Sequence, residues 1–243
     1  MNGMDAPSLS SEERTALAGL AADLGRVFGS GLHAVAAYGL NIPVEPPRML
    51  HSIALVERLV FSDLTRCAPL VGGWQRRSLA VPLILEREEF LRTLDIFPLE
   101  YGDIIAHHVL VAGTDLFATA RVARADVRRA CELAAKSHLV HLREGFLEAA
   151  GDSKATARLI GASAAPFRAL LSNIARLAEG DDFDDVAETA ARQIGISAPV
   201  VREVLQAGAG TNSTIADPTA LFTRYLDAVE QVWEFVDRWR SRA

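Results

Sequence analysis

The sequence has only two cysteines in 243 residues, no surplus of basic charge, and no long apolar run. Each shortage excludes something. Cys67 and Cys131 lie far apart within segments of helical character, so they read as reduced core thiols, not as a disulfide framework. With 25 basic against 31 acidic side chains, the net charge of -6 argues against a nucleic-acid partner. Arg124, Arg128 and Arg129 form one small basic cluster. No stretch approaches the roughly 18 uninterrupted apolar residues of a membrane span, so no membrane partner is expected. Asp5, Glu12 and Glu13 stand where a signal peptide carries lysine or arginine, which sets the cytoplasm as the expected location. The chain contains no repeat and no low-complexity tract.

Half of the residues are apolar, enough for one large domain or two modest ones. Ser10 with Glu13 makes a capping-box pattern, followed by Leu17, Leu20, Ala21, Leu24 and Phe28 at helical spacing. Gly29-Ser30-Gly31 ends that helix; it resembles a phosphate-binding turn but precedes its strand instead of following it. Strands are expected at 32–39 and 51–60, separated by Pro43, Pro46 and Pro47. Residues 62–77 read as helix interrupted by Pro69 and Gly72-Gly73. The run 79–85 suits a buried strand, 86–94 a short acidic helix, and 96–99 a fourth strand, with Pro98 favouring an edge.

Beyond Arg124 the period changes. Val127, Cys131, Ala135, Leu139, Leu142, Phe146 and Ala149 recur every three or four residues. Ile160, Phe167, Leu170, Ile174 and Leu177 repeat the rhythm, and Gly180-Asp181-Asp182 separates them from shorter helices at 183–194 and 197–207. Asp217-Pro218 opens a last helix through Phe222, Leu226, Val229, Trp233, Val236 and Arg240. Amphipathic helices joined by short loops hide their stripes against one another, so a helical bundle follows. The expected class is α+β, a small mixed-sheet domain over 1–115 and a helical bundle over 116–243.

Tyr38-Gly39 ending a strand, an irregular loop, a second strand and then Leu94-Asp95-Ile96-Phe97-Pro98-Leu99-Glu100 resemble bacterial nucleotidyltransferase-domain proteins of the kanamycin-nucleotidyltransferase type. The later Leu142-Arg143-Glu144 helix adds to the match. The resemblance implies a Gly-Ser turn holding nucleotide phosphates, then two aspartates alternating on the next strand so that both grip magnesium. A third carboxylate completes such a site, where metal neutralises the charge developing in phosphoryl transfer. Here the turn reads Gly39-Leu40, and matching the loop length puts Ser52 and Ala54 where the aspartate pair belongs. Neither can replace a carboxylate in a magnesium-binding pair. Asp95 and Glu100 remain as candidates for the third carboxylate, and Gly39, Leu40 and Ser52 mark degenerate nucleotide-binding positions.

Two readings follow. The first is a non-catalytic relative with no cofactor, kept for binding a nucleotide, a small molecule or another protein. The second is an active nucleotidyltransferase whose magnesium sits in a rearranged set, Glu45, Glu57, Asp95 and Glu100, with an unknown acceptor. A toxin-neutralising role is a third, lowered by the fused helical half, and a homodimer through that half is a further expectation from the resemblance. His107-His108 invites a metal reading, but neighbours on a strand point to opposite faces. His138 and His141 share a helix face without a matching carboxylate, so an ordinary polar edge is expected. Trp233 falls on the apolar stripe and reads as core; Trp239, between Arg238 and Arg240, suits a contact with a partner or with the first domain.

Overall fold

The first helix begins where the capping box places it. Ser10 Oγ accepts the Glu13 N–H at 3.1 Å, and the Glu13 carboxylate accepts the Ser10 N–H at 2.8 Å. Replacing Ser10 with Ala is expected to destabilise the protein by about 1 kcal/mol, read as a lower midpoint in urea unfolding. The structure is a computed structural model that describes residues 9–40, 49–179, 185–208 and 215–239. Pro43, Glu45, Pro46, Pro47, Gly180-Asp181-Asp182 and Arg240 lie outside the described residues.

By its contacts the chain divides into two units, Met1–Val122 and Ala123–Ala243. In the first, α1 (Ser11–Phe28) closes with a single 3-10 turn over Gly29–Gly31, which leads directly into β1 (Leu32–Tyr38). The glycine pair therefore ends the helix, as its position before the strand indicates. There follow β2 (His51–Val56), α2 (Phe61–Cys67), a 3-10 turn at Pro69, α3 (Val71–Arg76), β3 (Leu83–Glu86), α4 (Arg87–Arg92), α5 (Pro98–His107) and β4 (Val109–Gly113).

The sheet order is β3-β2-β1-β4, with β1 antiparallel to both neighbours and β2 parallel to β3. Both faces are covered. Val35, Ala37 and Ala54 pack with Leu17, Leu20 and Leu24 of α1 and with Trp74 of α3. Ala34, Ala36, Ile53 and Leu55 pack with Phe90, Tyr101, Ile104 and Phe117. Asp23 ties α1 to α3, accepting the Trp74 indole N–H at 2.8 Å and an Arg77 N–H at 3.0 Å. A β-carbon at Gly113 would lie 2.0 Å from the His33 carbonyl oxygen, and its φ of +85° suits glycine, so the close β1–β4 crossing needs this residue.

Two expectations for this unit change. Residues 96–99 form no strand: Ile96 and Phe97 sit in an exposed turn, and Pro98 occupies the first turn of α5. Proline's fixed φ serves an edge strand and a helix start equally, and a four-residue apolar run does not separate them. The strand expected from residue 79 is shorter; Leu79 makes one isolated bridge to Leu50, and β3 begins at Leu83. The fourth strand is β4, after His108.

The second unit holds α6 (Arg124–Glu148), α7 (Ser153–Glu179), α8 (Val186–Ile194), α9 (Ala198–Gly208) and α10 (Pro218–Arg238). Asp185 caps α8 through the Ala187 and Glu188 N–H groups, and Asp217 caps α10 through Ala220, with Pro218 at the first helical position. The predicted stripes are buried: Cys131, Ala135, Leu139 and Leu142 on α6, Phe167, Leu170 and Ile174 on α7, and Phe222, Val229 and Val236 on α10. Both cysteines are free and buried, and burial pushes the Cys131 thiol up to about 12.

Candidate functional site

The site implied by the resemblance begins where β1 ends. Gly39 turns the chain with φ +69°, a conformation glycine takes without strain. Leu40, at the position of the phosphate-binding serine, is only 6% exposed and belongs to the core between the sheet and α1. On β2 the side chains of residues 52 and 54 point to that same face, because alternate strand residues share a side. Ser52 is 1% exposed and Ala54 is 0% exposed. They lie opposite Ala37 and Val35 of β1. Among the described residues the buried Ser52 hydroxyl has no hydrogen-bond partner.

The carboxylates are elsewhere. Asp95 is exposed in the turn between α4 and α5, and Glu100 is exposed in the first turn of α5. Glu57 pairs with His33 at 2.6 Å across the start of β1. Glu45 lies outside the described residues. Among the described residues, no three of the types His, Cys, Asp or Glu come together to hold a metal ion.

Sequence reasoning passed over Glu86. It ends the apolar run of β3 beside Val56, on the strand face that Ser52 and Ala54 share. The signal was an acidic residue closing an apolar strand. Its carboxylate accepts the Leu59 N–H at 2.9 Å, which joins β3 to the start of α2.

The histidine pairs resolve differently from one another. His107 is the last residue of α5 and His108 follows it, so the two stand at a helix end and not on a strand. His107 reaches Asp103 at 3.1 Å, while His108 reaches Asp115 at 3.0 Å. Burial alone would raise the Asp115 carboxyl, but hydrogen bonds from His108 and the Ala118 N–H outweigh it and hold the group below the usual range. His107 thus pairs within α5, while His108 ties the loop after β4 to the end of that helix. On α6, His141 is exposed beside Glu144 at 3.1 Å. His138 is not a polar edge: its Nε2 lies 2.6 Å from the Tyr225 hydroxyl, and its ring stacks on Phe167 at 5.7 Å between centroids. Trp233 is half-buried, with the Lys136 ammonium 3.7 Å above its ring, so the stripe position carries a cation–π contact at the edge of the core.

The fold is nucleotidyltransferase-like: a small mixed-sheet domain followed in the chain by a helical bundle. The chain is similar to the solved structure of a spectinomycin adenyltransferase from Enterococcus faecialis with ATP and spectinomycin. The TM-score is 0.55 at 9% identity, over 90% of this chain and 98% of that one. No family model and no curated protein matches the sequence. Among the described residues no helix is long and apolar enough to cross a membrane.

Proposed function

We propose that this chain is a catalytically inactive nucleotidyltransferase-like protein that works in the cytoplasm and is retained for binding a nucleotide, a small molecule or a protein. The burial of Leu40, Ser52 and Ala54 in the α1-facing core carries the reading. A transferase needs those positions open to phosphates and metal; in this chain they are apolar or hydroxylic and closed over by a helix. Magnesium requires several oxygen ligands at close range. A lone serine hydroxyl buried among alanine and leucine does not supply them.

The similarity to an ATP-bound structure makes nucleotides the first ligands to try. A thermal-shift titration with ATP, GTP, CTP and UTP, each with and without magnesium, tests the reading. A ligand that binds only the native state at a hundred times its Kd stabilises by about 2.7 kcal/mol. The expected result is a melting temperature that magnesium does not change, whichever nucleotide is present. A rise that requires both nucleotide and magnesium would overturn the reading and return the rearranged carboxylate set to first place.

A further inference from the structure

We draw no further inference here: the strongest candidate, the exposed apolar stripe of Leu133, Val140 and Leu147 along α6, carries nothing because no feature of the described residues shows what covers it.

Discussion

A double variant, Ser52→Asp with Ala54→Asp, is expected to unfold the first unit and not to rebuild a magnesium site. Placing there the two aspartates that the resemblance implies is expected to fail for a physical reason. Both positions face α1 across the sheet and are shut off from solvent. An unpaired carboxylate in such surroundings costs several kcal/mol even after relaxation, and two of them repel each other. Small domains have only about 5–15 kcal/mol in total. Ala54 also gains volume in a packed layer, which adds strain. Circular dichroism melting of the double variant should show loss of the cooperative transition, or one lowered by more than about 20 °C. Ser52→Ala is the control: removing a buried hydroxyl that has no partner among the described residues should be neutral or slightly stabilising. A folded double variant stabilised by magnesium and ATP together would show that this face opens into a cleft.

The second large effect is acid sensitivity centred on His138. Burial among Phe167, Tyr225 and their neighbours lowers its pKa from 6.5 to about 4, with a smaller contribution from the charge of His141. In the unfolded chain the imidazole takes its proton near pH 6.5; in the folded protein it does so only near pH 4. Between those values the unfolded state binds more protons, so stability falls as pH falls. The contribution is fully present above about pH 6.5 and is lost progressively down to about pH 4. Its size is on the order of 3 kcal/mol, because each tenfold loss of proton affinity on folding is worth about 1.4 kcal/mol. Urea unfolding of the parent and of His138→Gln, compared from pH 8 to pH 4, isolates it from the carboxylates. Gln keeps a partner for the Tyr225 hydroxyl but does not titrate. The variant is expected to lose less stability than the parent over this interval. Parallel curves for the two proteins would show that His138 is already solvated in the folded state.

Both predictions depend on which side chains are buried, and there the two halves of the sequence were legible to different depths. The helices of the second unit were legible because their stripes are long: seven apolar positions from Val127 to Ala149 leave no other period available. Ser10, Asp217 and Pro218 marked helix starts because capping is chemistry local to one turn. The turn and strand positions, Gly39-Leu40 and Ser52 with Ala54, were readable as residue types for the same local reason.

The short elements were not. A four-residue apolar run such as 96–99 fits a strand, a turn or a helix start, and packing alone selects among them. His138 looked like a polar edge because its residue type says nothing of the Phe167 and Tyr225 rings brought to it from α7 and α10. Local periodicity and capping, which act over a few residues, determined the long helices and where several of them start. Tertiary structure decided the face toward which Ser52 and Ala54 turn and the burial of His138, because burial depends on contacts between segments far apart in the chain.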